Sequence, residues 1–189
     1  MKVFQISPDF AFQTFYTLDP DVRGFSEVAY LLELTQCSRM LQNWKPLRLA
    51  EESSKLKRGN FAHSWGGGFI IDTRAIEALR PILEQSCELL PLLPHKGESL
   101  QVMNVLDCVD CLDEEKTRRA IDSASGMKLT IIEEFHFDSS RIRGSSLFKL
   151  PKRPEFFTVT GLVDPQIEFR SVVEREALTG IKFEELWSD

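Results

Sequence analysis

The first residues set phenylalanines two positions apart. Phe4 and Ile6 share one side of an extended chain, and so do Phe10 and Phe12, which is the period of half-buried strands. With Phe15 and Phe25, the N-terminal stretch holds five of the chain's 14 phenylalanines. They are expected in the core, the alternative being an exposed aromatic docking surface. Glu27 to Trp44 fits a helix, with Val28, Leu31, Leu32 and Met40 roughly on one face. Lys45 to Asn60 is charged and polar and marks a seam. The expected organisation is therefore a Phe-rich segment over residues 1–60, packed on a main body over 61–189.

Beyond the seam the pattern sharpens. Gly66-Gly67-Gly68 leads into Phe69-Ile70-Ile71, a short buried strand, and Asp72 or Thr73 can cap the helix that follows. Ala75, Ile76, Leu79, Ile82 and Leu83 recur at helical spacing, with a kink or restart expected at Pro81. Leu89–Leu93 reads as a strand, and His95 to Glu98 as a turn. Leu100–Leu112 reads as one long strand, with Val102, Asn104 and Leu106 opposite Val105, Asp107 and Val109. Asp113 is placed to cap a short helix running towards Gly126. Strands are expected at Leu129–Phe137, Ser146–Leu150 and Phe156–Val159.

The last helix has both ends marked. Asp164-Pro165 supplies a cap and a first-turn proline, Ile167, Val172, Val173 and Ala177 lie near one face, and Gly180 ends it. Ile181–Leu186 is extended again. Strands and helices in uneven order, without regular βαβ alternation, give an α+β class: a largely antiparallel sheet with a few packed helices.

Lysine plus arginine number 23 against 29 acidic residues, a net charge of −6. That balance disfavours a generic nucleic-acid binder, which needs clustered cations. No apolar run approaches the roughly 18 residues of a membrane span. The N-terminus lacks a signal-peptide core, since Pro8 and Asp9 end its apolar run. The four cysteines are too sparse for a disulfide scaffold. A cytoplasmic protein without nucleic-acid or membrane partners is the expectation.

Searches for chemistry return little. Cys108-Val109-Asp110-Cys111 is a CxxC, but it lacks a second CxxC or a His pair, and on a strand its thiols would face opposite ways. His63-Ser64-Trp65-Gly66-Gly67-Gly68 superficially resembles an oxyanion-hole loop, without a GxSxG nucleophile to serve. There is no GxxxxGK[ST] and no HExxH, and His63, His95 and His136 are the only histidines. No catalytic residue, metal ligand or cofactor site is assigned, and the chain is not expected to be an enzyme. Asp107, Asp110, Asp113, Glu114 and Glu115 crowd five acids into nine residues. They are either a solvated strand end running into a helix N-terminus, or an acidic face for a cationic partner. A basic block follows in Arg141, Arg143, Lys149, Lys152 and Arg153.

One ordered series of short motifs carries a resemblance. It comprises Trp44-Lys45-Pro46, Gly66 to Ile71, Arg74 to Leu79, Glu88 to Leu92, and Asn104-Val105 through Leu112-Asp113. Phe137-Asp138, Gly144, Leu147-Phe148-Lys149-Leu150, Thr179-Gly180, Phe183 and Leu186-Trp187 complete it. Over residues 44–189 the chain resembles the eleventh of the immunity-protein families found beside bacterial polymorphic toxins. The resemblance implies a cytoplasmic antitoxin, encoded near its toxin, that binds and neutralises the toxin's C-terminal domain in interbacterial competition. Such toxins are often nucleases. It also makes residues 61–189 an α+β immunity-type domain and implies stoichiometric inhibition without a cofactor. The alternative is a regulatory binding module of the same fold with no toxin. The five acids from Asp107 to Glu115 are the candidate partner-binding residues, the oligomeric state is open, and residues 1–43 are expected to complete the sheet, the alternative being a variable contact surface.

Overall fold

In the computed structural model, which describes residues 1–19, 36–64, 68–162 and 164–189, the run Phe69-Ile70-Ile71 is buried from both sides. Its alternate side chains point to opposite faces of a sheet that is covered on each, so the strand reads as a continuous apolar stretch. This strand belongs to a six-stranded sheet. In chain order its strands are β2 (Thr14–Thr17), β3 (Leu49–Glu51), β4 (Phe61–Ser64), β5 (Phe69–Asp72), β6 (Cys87–Pro91) and β7 (Leu100–Val105). They lie side by side as β3-β2-β4-β5-β7-β6, antiparallel except for β2 beside β4.

A four-stranded antiparallel sheet joins the two chain ends. Its order is β10 (Leu147–Lys149), β11 (Phe156–Thr160), β1 (Lys2–Pro8) and β12 (Ile181–Ser188). β1 is thus an inner strand between β11 and β12. Between the sheets in sequence lies a separate two-stranded hairpin, β8 (Arg118–Ile121) with β9 (Lys128–Glu134). The described residues hold two α-helices, α1 (Thr73–Ser86) and α2 (Phe169–Arg175), beside these twelve strands. The protein is α+β and dominated by mostly antiparallel sheet.

Three apolar clusters hold these layers. The largest packs Phe61, Phe69, Ile71, Met103 and Val105, on one face of the six-stranded sheet, against α1 and α2 and against Ile6, Leu147 and Phe156 of the other sheet. Ile70, Val102 and Leu90 fill the opposite face with Phe15, Met40 and Leu49. Val3, Phe148, Phe157 and Val159 form the third with Cys111, Leu112, Phe137 and Ile142. In β1, Phe4 and Ile6 are both buried, on the side away from Val3.

Several local expectations hold. The Asp72 carboxylate accepts from the Ala75 amide at 2.8 Å and caps α1, and Ala75, Leu79, Ile82 and Leu83 are its buried stripe. Asp164 accepts from the Gln166 amide, and Gly180 takes a positive φ after α2.

Others are corrected. α1 runs through Pro81 as one helix with no restart, because the proline sits on the exposed side where water can serve the carbonyl it leaves unpaired. Phe10 is 67% exposed in a turn rather than in a strand with Phe12. The long strand over Leu100–Leu112 ends at Val105, where the Leu106 and Asp107 amides both turn to the Ser86 carbonyl, at 2.8 and 3.3 Å. The chain then crosses to β10, with the Lys149 amide donating to Asp107 and the Val109 amide to Lys149. Asp113 opens a single turn and not a helix, because Arg118–Ile121 is taken up by β9. The last helix starts with a 3-10 turn at Pro165–Ile167 before α2. Residues 27–35 of the helix expected over Glu27–Trp44 lie outside the described residues, as do Trp65, Gly66 and Gly67. Met40 is buried, and Leu41–Asn43 forms a 3-10 turn.

Candidate partner-binding face

The acidic stretch follows directly from the crossing between the sheets, and the five carboxylates fare differently. Asp107 turns inward, half-buried, where burial pushes its pKa up against a hydrogen bond from Ser145. Asp113 is held by Lys116 at 2.9 Å, which keeps its carboxyl below the usual range. Glu114 takes both oxygens to the Arg119 guanidinium, at 2.8 and 2.9 Å. Asp110 and Glu115 are exposed and have no ion pair among the described residues. The stretch therefore does not present five free charges on one face. Two outer acids stand open beside two that are neutralised, and the fifth is inside.

Asp110 and Glu114 do meet the hairpin. With Leu112, Arg119, Thr130 and Arg153 they line a groove of about 360 Å³. A second groove of about 550 Å³ runs along Thr130 to Ile132 on the β9 side, bounded by Gln5 and by Lys152 to Glu155. The Arg153 guanidinium crosses to the Thr130 carbonyl at 3.2 Å, and Arg153 lines both grooves.

The hairpin itself is the most open apolar feature among the described residues. Ile132 and Phe135 pack on the third cluster, whereas Ile131, next along β9, points away and is 62% exposed. Ile121, Met127 and Leu129 are also exposed, so four large apolar side chains crowd the hairpin's free part. Its charges are largely satisfied internally, with Arg118 paired to Glu133 at 2.6 Å and to Glu134 at 3.2 Å. The turn closes on Asp122, whose carboxylate accepts from Ser125 Oγ at 2.6 Å and from the Ser125 and Ala124 amides. A two-stranded ribbon with that much apolar surface is marginal alone and is suited to burial against something else. Sequence reading missed this surface. Its available signal was the turn Asp122 to Gly126 between two strand-forming runs.

The other candidates are dispersed. His63 is half-buried edge-on to Phe10, His95 reaches Glu51 at 3.0 Å, and His136 reaches Glu134 at 3.3 Å. Cys111 is fully buried in the third cluster, and Cys108 is exposed. No group of His, Cys, Asp or Glu among the described residues has the arrangement to hold a metal ion. The basic block also divides. Arg141 pairs with Asp138 and Arg153 with Glu155, but Lys149 of the same block is 1% exposed.

These features define a sheet-dominated α+β protein whose open surface is a projecting hairpin bordered by acids. Residues 94–187, from the turn before β7 to Trp187 of β12, match the model of the Imm11 immunity protein family. The match takes in the acidic stretch and the hairpin, and it is narrower than the resemblance over 44–189, whose motifs from Trp44 to Leu92 lie outside it. Comparison with curated proteins found no match. No helix among the described residues is long and apolar enough to cross a membrane.

Proposed function

We propose that the protein is an immunity protein that binds the C-terminal domain of a cognate secreted bacterial toxin and neutralises it by forming a stoichiometric complex. The family match over residues 94–187 carries this reading. In it the protein works in the cytoplasm and needs neither cofactor nor catalysis, because covering the toxin's active surface is sufficient. A docking interface of ordinary size buries about 800 Å² on each partner, with aromatic or aliphatic anchors at its centre and charges at its rim. The face that suits this is the hairpin, with Met127, Leu129 and Ile131 as the apolar centre and Asp110 and Glu115 as the acidic rim. A cationic toxin, such as a nuclease domain with a basic substrate channel, complements those acids, and complementary charge accelerates encounter.

The test is to purify the toxin domain encoded beside this gene and titrate it with the full chain. A saturable complex of fixed stoichiometry that abolishes toxin activity is expected. Ile131→Glu should weaken it while leaving the fold intact. Toxin activity unchanged at saturating concentrations of a folded chain would refute the proposal.

A further inference from the structure

Three cysteines, the exposed Cys108 and the partly buried Cys37 and Cys87, gather around one buried ammonium group where the chain crosses from β7 to β10. Lys149, on β10, is buried with its Nζ 4.7 Å from the centre of the Phe156 ring. Its backbone bridges to Cys108 on the crossing segment. Cys87 opens β6, and the preceding Ser86 carbonyl anchors the same segment through Leu106 and Asp107. Cys37, far away in sequence, is held at this point by the next residue, Ser38, whose carbonyl accepts from Asn104 Nδ2 of β7 at 2.9 Å; its thiol is in hydrogen-bond contact with that of Cys108, and Lys149 acts electrostatically on all three thiols. The CxxC partner Cys111 faces the other way, into the third cluster. The spatial partner of Cys108 is thus Cys37 and not its neighbour in the motif.

We propose that Cys37 and Cys108 are an oxidisable dithiol that low-molecular-weight disulfides, such as oxidised glutathione, convert to an intramolecular disulfide. Cys108 is the exposed member, so its thiolate attacks one sulfur of the small disulfide. A mixed disulfide forms on Cys108 and one glutathione leaves as thiolate. The Cys37 thiolate then attacks the Cys108 sulfur, the mixed bond breaks, and the second glutathione leaves. The two protons lost by the cysteines end on the two departing thiolates, so two thiols are oxidised as one disulfide is reduced.

The order of steps follows from the surroundings. Burial and the Cys108 thiol together push Cys37 up to about 12, which makes it a poor first nucleophile. Once Cys108 carries the glutathione its own thiol no longer opposes ionisation of Cys37, while the Lys149 ammonium still favours it. The product ties the segment entering Leu41–Asn43 to the crossing segment and closes a loop of about 70 residues, which restricts the unfolded chain.

The experiment treats the reduced full chain with oxidised glutathione, blocks remaining thiols, and maps peptides without reduction. The expected product lacks two hydrogens, links the Cys37 and Cys108 peptides, and melts at a higher temperature than the reduced chain. Cys37→Ser should stop at a glutathione adduct on Cys108, Cys108→Ser should give neither species, and Cys111→Ala should still form the link. A persistent adduct on Cys108 in the unsubstituted chain, no reaction, or a link through Cys87 or Cys111 would overturn the proposal. None of these readouts involves a toxin.

Discussion

Gly180 lies against Phe61 so closely that a Cβ on the glycine would fall 1.8 Å from the Phe61 carbonyl oxygen. Gly180 also holds φ at +104°, a conformation that costs other residues strain. The contact locks the turn between α2 and β12 onto the start of β4, where the Phe61 amide donates to the Thr179 carbonyl at 2.9 Å. It joins the two sheets at one point of backbone approach. Gly180→Ala should therefore cost about 3 kcal/mol or more, the sum of backbone strain and a clash that no side chain can relieve. Urea unfolding measures it, and a loss below about 1 kcal/mol would show that the junction yields.

The Glu88 carboxylate is buried and accepts from three donors: the Met40 and Leu41 amides and Asn104 Nδ2, the last at 2.9 Å. It fastens residues 40–41 over the edge strand β6. Glu88→Ala should lose about 2–4 kcal/mol, because it strands buried donors. Hydrogen exchange should show the Met40 and Leu41 amides losing protection before those of β7. Uniform loss across the sheet would mean that Glu88 does not act through this segment.

Burial holds the His63 pKa below the ordinary histidine value, against a weaker opposing pull from Glu52. The unfolded chain then binds the proton more readily than the native one, so stability falls as pH drops through the unfolded value near 6.5. His63→Gln should flatten the profile there. A second loss, at lower pH, comes from carboxylates that the fold holds low, among them Glu51, which Lys96 and His95 keep below the usual carboxylate range with contacts of 2.7 and 3.0 Å. Its contribution is present above the unfolded carboxylate pKa and is lost as pH falls through the lower native one. Glu51→Gln should shrink that limb alone. Thermal melts from pH 8 to pH 3 separate the two limbs.

How far the sequence could be read depended on whether local signals were also the tertiary ones. Asp72 before an apolar stripe and Gly180 after one act within a single turn, and both do what their chemistry suggests. The α+β class followed for the same reason. Asp113 shows the limit: its carboxylate does accept from the Lys116 amide, as a cap would, but the chain after it pairs with β9. Helical propensity lost there to a partner strand that local pattern could not locate. Val105 and Lys149 failed similarly, since the end of β7 is set by Ser86 across the sheet and the burial of Lys149 by β10 folding under the crossing. Of the candidate acids, their presence was legible but their pairing was not. Lys116 and Arg119, which neutralise Asp113 and Glu114, are reached only once the turn and hairpin form.

That pairing separates the acids experimentally. Asp110→Asn with Glu115→Gln should slow toxin association severalfold at low salt and reduce its salt dependence, because these charges are open. Asp113→Asn with Glu114→Gln should change the rate less, since each removes a charge already balanced by a neighbour. Stopped-flow association at two ionic strengths distinguishes the pairs, and equal effects would place the contact elsewhere.

Immunity is read most plainly from bacterial survival when the toxin domain encoded beside this gene is expressed with and without the chain. Rescue by this protein, loss of rescue with Ile131→Glu at equal expression, and co-purification of the two unsubstituted partners are expected. Continued killing despite abundant, folded protein would contradict an immunity role.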